Sequence, residues 1–146
     1  MRVDFYRLSR DSAESAVALL ARKSVEAGKN VLLVAEGEDR LQQFSRTLWD
    51  SPPEAFLANG LAGAGQDERQ PILLSETLEA ANGAQFLILA DGQWRDPGDI
   101  FERVMLVFDD STIEGARACW RQLGEQEGME RHFWKQDDSG RWVQGP

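Results

Sequence analysis

The segment Gly28-Lys29-Asn30-Val31-Leu32-Leu33-Val34-Ala35 decides the fold, because a glycine turn leads directly into an unbroken apolar run. A continuous run of Val and Leu is typical of a strand that is buried on both faces of a parallel sheet. A glycine just before such a run is typical of the end of a helix. The segment therefore predicts the junction between a helix and a central strand of an α/β protein.

The residues on the N-terminal side of this segment complete a strand–helix–strand unit. Val3 to Leu8 has strand character, and Arg10-Asp11-Ser12 interrupts it. Asp11 with Glu14 three residues later fits a capping box. Five apolar positions after the cap share one helical face, namely Ala13, Ala16, Val17, Leu20 and Ala27. This order predicts a βαβ unit and a parallel sheet.

The C-terminal side continues the alternation of helices and strands. Leu41, Phe44 and Leu48 predict a helix that ends before Pro52 and Pro53. We expect a mobile loop over 58–70, a short strand over 71–74 and a short helix over 76–81. Buried strands are predicted over 85–90 and 103–108, and a last strand over 132–136 is followed by a turn over 137–140.

The helix after residue 112 presents an apolar face of Ile113, Ala116, Trp120 and Leu123. Together these elements predict one domain over residues 1–146. We expect an α/β three-layer sandwich, with helices on both faces of a mostly parallel sheet. Such a fold is Rossmann-like in architecture.

Composition limits the classes of partner. The 146 residues carry a net charge of −9 and only three lysines, which weighs against direct binding of nucleic acid. No apolar run reaches the length that a membrane span needs, and the N-terminus does not have the pattern of a secretory signal. The single cysteine, Cys119, cannot form an internal disulfide. We therefore expect a cytoplasmic protein that does not contact a membrane.

The glycine-rich segments do not match a nucleotide-binding motif, so we expect no cofactor. The run from Gly60 to Gly65 lacks the G-x-G-x-x-G spacing, and Gly28-Lys29-Asn30 lacks both the upstream glycine and the Ser or Thr of a phosphate loop. An alternative stays open: a small α/β enzyme or nucleotide-binding protein with its site at the C-terminal edge of the sheet, near the Glu36 to Arg40 turn.

Catalytic and metal-binding patterns are also weak. His132 is the only histidine, and no G-x-S-x-G motif accompanies it. Cys119 beside Trp120 is typical of a packed apolar residue. The pairs Asp109-Asp110 and Asp137-Asp138 are typical of caps and turns rather than metal sites. The sequence favours a protein that is not an enzyme.

A cluster on the helix after residue 112 indicates a site for a peptide. Arg117 and Arg121 lie one turn apart and share a surface, and Trp120 lies between them. A ring flanked by two guanidinium groups suits a short peptide that ends in an aromatic residue and a carboxylate. The alternative is that Trp120 continues the core stripe while Glu114 screens Arg117.

A second cluster surrounds the two prolines. Trp49 and Phe56 lie on either side of them, in a stretch that runs from Leu48 to Gly63. Two aromatic residues at a fixed separation suit a docking surface. Composition alone leaves open whether they instead close over the core.

Several motifs give the chain a family resemblance. They are Asp4-Phe5-Tyr6, residues 28–33, Leu48-Trp49 with Pro52, Phe56 and Leu61-Ala62-Gly63, Val107-Phe108-Asp109, and residues 116–121. In these motifs the chain resembles the chi subunit of bacterial DNA polymerase III holoenzyme over nearly its whole length. The resemblance implies a non-catalytic accessory subunit of the clamp-loader complex.

The resemblance also implies two partners. One is a psi subunit, and the positions that match its aromatic contacts are Trp49 and Phe56. The other is the acidic C-terminal tail of single-stranded DNA-binding protein (SSB), and the matching pocket positions are Arg117, Trp120 and Arg121. Ile113 falls where a further basic residue can lie, which implies fewer charge contacts. The partner protein, and not this chain, would hold the DNA.

Overall fold

A computed structural model describes residues 1–50 and 57–145, and within these ranges the strands form one sheet. The strands are β1 (Arg2–Arg7), β2 (Val31–Val34), β3 (Asn59–Leu61), β4 (Ile72–Ser75), β5 (Phe86–Leu89), β6 (Arg103–Phe108), β7 (Glu130–Gln136) and β8 (Trp142–Gln144). The helices are α1 (Ala13–Glu26), α2 (Glu38–Trp49) and α3 (Ile113–Gly124), with one 3-10 turn at Asp67–Arg69. None of the helices in the described ranges has the length and apolar character to cross a membrane.

The sheet has the strand order β3-β4-β2-β5-β6-β1-β7-β8. Among the strands of the described ranges, only the β7–β8 pair is antiparallel, so the prediction of a mostly parallel sheet is confirmed. β1 and β2 run parallel, as the βαβ prediction requires, but β5 and β6 lie between them. The continuous apolar strands β2 and β5 therefore occupy the centre of the sheet, where both faces are covered.

The helices cover opposite faces of this sheet. Buried residues of α1 and α2 pack with Leu33, Ile88 and other side chains of one face. Buried residues of α3 pack with Leu32, Leu87 and other side chains of the opposite face. Adjacent residues of a strand point to opposite faces, so each central strand contributes to both layers of core. The three-layer α/β sandwich is confirmed.

The ends of α1 differ in part from the prediction. Ser12, and not Asp11, caps the helix, because its side chain accepts a 3.1 Å hydrogen bond from the backbone N–H of Ser15. Glu14 does not close a capping box but forms a 2.5 Å ion pair with Arg40 of α2. The glycine stop is where we expected it: Gly28 has a φ of +82°, which a residue with a Cβ rarely adopts.

The prediction of a mobile loop over 58–70 is wrong for its first part, where β3 pairs in parallel with β4. Asn59 is buried, its Nδ2 donates to the carbonyl of Leu57, and its Oδ1 accepts a 2.6 Å hydrogen bond from Ser45 Oγ of α2. Asn and Gly disfavour strands intrinsically. Here the contacts to α2 and β4 override that preference.

The short helix predicted over 76–81 does not form. The hydroxyl of Ser75 accepts a 3.1 Å hydrogen bond from the Thr77 backbone N–H, which closes a local turn in place of a helical one. At the end of the segment, Asn82 Nδ2 donates to the carbonyls of Val31 and Gln70. Side-chain hydrogen bonds thus hold the segment at both ends in a non-helical conformation.

The C-terminal hairpin of β7 and β8 matches the predicted strand and turn, and β7 joins it to the sheet by pairing with β1. Gln136 adds a second attachment. Its Oε1 accepts hydrogen bonds from the backbone N–H groups of Ser9, Arg10 and Asp11, at 3.0 to 3.3 Å. Its Nε2 donates to the carbonyl of Gly140 in the hairpin turn. One side chain therefore ties the hairpin to the loop between β1 and α1.

Candidate functional site

α3 brings the predicted cluster to the surface because its apolar residues face the sheet. Ala116, Cys119 and Leu123 are buried against the strands, at the spacing of one helical face. Arg117 and Arg121 are exposed, and Trp120 lies half-buried at the border between the two faces. The helix therefore presents two guanidinium groups and the edge of one indole along its border with the sheet.

These side chains surround a cavity of about 280 Å³ between α3 and the sheet. Its apolar wall consists of Phe5, Phe108, Ile113, Phe133 and the ring of Trp120. Arg7, Arg117 and Arg121 form the remainder of the lining. The three residues that the sequence singled out on α3 thus share one cavity, with cations along an aromatic wall.

The Trp120 ring is held from two sides. Phe5 of β1 meets it edge-on, with the ring centroids 5.2 Å apart and the planes at 76°. The guanidinium of Arg131 lies 4.3 Å from the ring centroid. Arg131 Nη1 also donates a 2.7 Å hydrogen bond to the backbone carbonyl of Trp120. These contacts restrict the ring, so a ligand would meet a surface that is already ordered.

The arginines around the cavity have weak internal partners. Arg117 forms a 3.0 Å ion pair with Glu114, and Arg7 forms one of 3.0 Å with Asp110, both on the exposed surface. Such pairs contribute about 0–1 kcal/mol each. Arg121 has no ion pair among the residues that the structure describes. A carboxylate that enters the cavity would therefore have to displace only weak, exposed ion pairs.

The sequence reasoning did not find Arg7, Arg131 or the three phenylalanines of the cavity. They come from β1, β6 and β7, and the parallel register sets Phe5 directly beside Phe133 and Arg7 beside Phe108. The alternation of side chains in each strand assigns them to the α3 face. Spacing in the sequence does not reveal that β1 lies between β6 and β7. Ile113 lines the cavity without a charge, as expected, and Arg7 supplies a cation from the sheet.

Trp49, the described member of the second predicted cluster, lies at the end of α2 with 60% of its surface exposed. Its neighbour Leu48 and the nearby Leu57 are buried in the core. Phe56 lies outside the described residues. α2 packs against β3 and β4, on the sheet face opposite to α3. Trp49 and the α3 cavity therefore occupy different faces of the protein.

The C-terminal edge of the sheet is already occupied by the protein's own carboxylates. The backbone N–H of Glu36 donates to Asp91 at 2.9 Å, and that of Gly37 donates to Glu76 at 2.8 Å. Amides before a helix are the groups that a phosphate would use. A nucleotide at this turn would have to displace two acids and approach others, which disfavours the nucleotide-binding alternative.

The side chains that could serve in catalysis or metal binding, such as Cys119 and His132, are held in contacts within the fold. Burial raises the pKa of Cys119 to about 12, so its thiol stays protonated and unreactive at neutral pH. His132 Nε2 lies 3.5 Å from Glu130, and its Nδ1 lies 3.0 Å from the amide of Gln144. In the described part of the chain, no three residues among His, Cys, Asp and Glu converge as metal ligands would.

Comparison with known proteins matches the chain to one protein family. The model of the family "DNA polymerase III chi subunit, HolC" matches residues 1–131, which include β1 to β6, all three helices and the α3 cluster. A comparison with curated proteins gave no match. The family match covers most of the 146 residues and agrees with the resemblance in the sequence. The chain therefore belongs to the DNA polymerase III chi subunit family.

Proposed function

We propose that this protein is a non-catalytic subunit that links the clamp-loader complex to SSB. Membership of the chi subunit family implies an accessory role in DNA replication. The proposal adds that Arg117, Trp120 and Arg121 bind the acidic C-terminal tail of SSB. It also adds that the surface around Trp49 and Phe56 binds a psi-type subunit.

The observation that carries the tail-binding proposal is the convergence of three arginines on one aromatic cavity. The whole chain has a net charge of −9, so a cationic site is a local exception. Its volume of about 280 Å³ is near the lower end of the roughly 300–1,000 Å³ that small-molecule pockets occupy. That size suits one aromatic ring with an adjacent carboxylate, which is the chemistry of a peptide that ends in Phe.

In this proposal each residue has a defined part. The terminal ring of the peptide enters between Trp120 and the phenylalanines of the sheet. Arg117 and Arg121 pair with the α-carboxylate and with acidic side chains further along the tail. Because most of the chain repels an acidic peptide, affinity depends on this cavity, and binding weakens as salt rises.

Fluorescence anisotropy with a labelled acidic peptide ending in Pro-Phe tests the tail-binding site. We expect a Kd on the order of micromolar, as for a short-peptide site. Removal of the terminal Phe, Arg121→Ala or Trp120→Ala should each weaken binding at least tenfold. Arg69→Ala is the matched control, since Arg69 is an exposed arginine that does not line the cavity.

Thermal unfolding of each variant separates a lost contact from a lost fold. Arg121 makes no ion pair within the described residues, so its variant should retain the wild-type melting temperature. Peptide binding that is indifferent to Arg121→Ala, Trp120→Ala and loss of the terminal Phe would refute the assignment of this cavity.

The psi-type partner is supported by the position of Trp49. Trp49 has 60% of its surface exposed beside buried leucines, and an exposed tryptophan is a favoured anchor at protein interfaces. Co-purification of this chain with a psi-type subunit should be reduced by Trp49→Ala and unchanged by Arg121→Ala. The tail peptide should give the opposite pattern. If Trp49→Ala leaves the psi-type complex intact, the proposed surface is wrong.

A further inference from the structure

A second cavity lies on the sheet face opposite to α3, between α1 and the strands β1, β5, β6, β7 and β8. Its volume is about 360 Å³. The cationic side chains that line it are Arg2, Lys23 and Arg103, and the aromatic ones are Tyr6, Phe86, Trp134 and Trp142. Trp134 and Trp142 lie beyond residue 131, where the family match ends.

Beneath this cavity, one fully buried carboxylate holds two arginines. Asp4 Oδ2 accepts a 2.6 Å hydrogen bond from Arg103 Nε and one of 3.0 Å from Arg2 Nε. Asp4 Oδ1 accepts a 2.9 Å hydrogen bond from the indole N–H of Trp134. Asp4 has no exposed surface, so this network is part of the rigid floor of the cavity.

The cluster keeps an excess of positive charge. Asp4 neutralises only one of the two guanidinium groups, and these retain 39% and 23% exposure of their side chains. Lys23 is exposed at the cavity and has no ion pair among the residues that the structure describes. Glu130 lies beside Arg2 across the β1–β7 pair and adds one further negative charge, while Glu102 pairs with Lys29. The three cations Arg2, Lys23 and Arg103 still outnumber the two carboxylates beside them.

The aromatic side chains form an ordered wall beside these charges. Tyr6 stacks on Trp134 with the ring centroids 6.1 Å apart and the planes at 10°. Trp142 meets Tyr6 edge-on at 5.4 Å. The Tyr6 hydroxyl accepts a 2.7 Å hydrogen bond from Arg103 Nη2. Burial raises the pKa of Tyr6 to about 12, so the hydroxyl adds no negative charge at neutral pH.

We propose that the cavity bounded by Arg2, Tyr6, Lys23, Arg103, Trp134 and Trp142 binds a small anion that carries a flat ring. Guanidinium and ammonium groups recognise phosphate or carboxylate, and the indole and phenol rings offer a surface on which a planar ring stacks. The volume fits one ring system with one charged group. This site is distinct from the α3 cavity and does not depend on the proposed binding of a peptide there.

The test is a titration of the full chain followed by the indole N–H signals in ¹H–¹⁵N NMR spectra. The chain has five tryptophans, and Trp134→Phe and Trp142→Phe assign the two signals of this cavity. Four probes separate the contributions: AMP has a ring and a phosphate, N-acetyltryptophan has a ring and a carboxylate, adenosine has the ring alone, and inorganic phosphate has the charge alone. The Trp120 signal reports separately on the α3 cavity.

We expect AMP, N-acetyltryptophan or both to shift the Trp134 and Trp142 signals saturably, while adenosine and inorganic phosphate bind at least tenfold more weakly. Which of the two ring-bearing anions binds identifies the source as a phosphate or a carboxylate. Lys23→Gln should weaken binding about fivefold and Lys23→Glu should abolish it, because one charge-assisted contact is lost or reversed. Arg22→Gln is the control on the same helix, outside this cavity.

Two results would overturn the proposal. One is the absence of any saturable shift of the Trp134 and Trp142 signals with all four probes up to 20 mM, a concentration about twenty times a 1 mM Kd. The other is binding that is equally strong in wild type and in Lys23→Glu. Lys23 is exposed, so its variants should fold like the wild type, and neither result depends on whether the α3 cavity binds a peptide.

Discussion

Arg131 both stacks on and bonds to Trp120: its guanidinium lies 4.3 Å from the indole centroid, and its Nη1 donates to the Trp120 carbonyl at 2.7 Å. The arginine comes from β7 and the tryptophan from α3, so this contact joins the helix to the sheet at the wall of the cavity. The position of the Trp120 ring therefore depends on the sheet as well as on the helix.

Replacement of Arg131 should lower the stability of the protein. Arg131→Leu removes a cation–π contact and a hydrogen bond to a backbone carbonyl, and we expect a loss of about 1–2 kcal/mol in the free energy of unfolding. Urea unfolding measures this loss. Arg131→Lys keeps the charge but not the planar group, so its free energy of unfolding should lie between those of wild type and Arg131→Leu. Equal stability of wild type and Arg131→Leu would contradict the importance of the contact.

Replacement of the buried carboxylate of Asp4 should destabilise the protein strongly. Asp4→Asn leaves Arg2 and Arg103 without a counter-ion beside the core, and we expect a loss of about 3–5 kcal/mol in the free energy of unfolding. Asp110→Asn is the control, because the Arg7–Asp110 pair is exposed and should contribute less than about 1 kcal/mol. Similar losses of unfolding free energy in Asp4→Asn and Asp110→Asn would show that the burial of Asp4 does not determine the size of the loss.

Alanine substitutions at two adjacent residues at the end of α2 should change the stability of the protein by very different amounts. Leu48 is 1% exposed and packs in the core, so Leu48→Ala should cost about 2–5 kcal/mol of the free energy of unfolding. Trp49 is 60% exposed, so Trp49→Ala should change it by less than about 0.5 kcal/mol. Thermal unfolding of both variants is sufficient. A large loss in Trp49→Ala would mean that the indole closes over the core.

Asp91 should give stability a dependence on acid pH. Burial alone would raise its pKa, but hydrogen bonds from Arg95 and from the backbone N–H groups of Glu36 and Gln93 outweigh this, and the pKa lies below the usual 3.8. A folded-state pKa below the unfolded one stabilises the protein above the unfolded pKa, and that contribution is lost as pH falls through the folded pKa.

Asp91→Asn should therefore be less stable than wild type at pH 7, with the difference shrinking as pH falls below about 4. Urea unfolding at pH 7, 5, 4 and 3 measures this convergence. Stability curves that stay parallel down to pH 3 would mean that the Asp91 network does not carry the acid sensitivity.

The elements with strong local patterns were predictable from sequence. The runs around Val31 and Phe86 are apolar without interruption, and the structure has both as central strands. The segment over 76–81 was mistaken for a helix, because the anchors that prevent it come from Ser75 and Asn82 through hydrogen bonds that no periodicity reveals. Likewise β3 depends on Ser45 and β4 for its pairing.

The candidate site divides in the same way. The part on α3 could be predicted, because Arg117, Trp120 and Arg121 belong to one helix and spacing alone places them on one surface. Arg7 and Arg131 could not, because their proximity to α3 depends on the strand order around β1. Sequence spacing defines neighbours within an element, whereas only the topology defines neighbours between elements.

Both outer strands of the eight-stranded sheet, β3 and β8, are only three residues long in the described part of the chain. An outer strand offers unpaired backbone groups to any other extended chain, and a short one offers few of them. β8 follows β7, which pairs with the whole length of β1. A protein cut after residue 131 would lose this cover, and one edge of the six-residue strand β1 would offer unpaired backbone groups to another extended chain. The C-terminal hairpin thus gives the sheet a short outer strand in place of a long one, apart from any part that the hairpin has in binding.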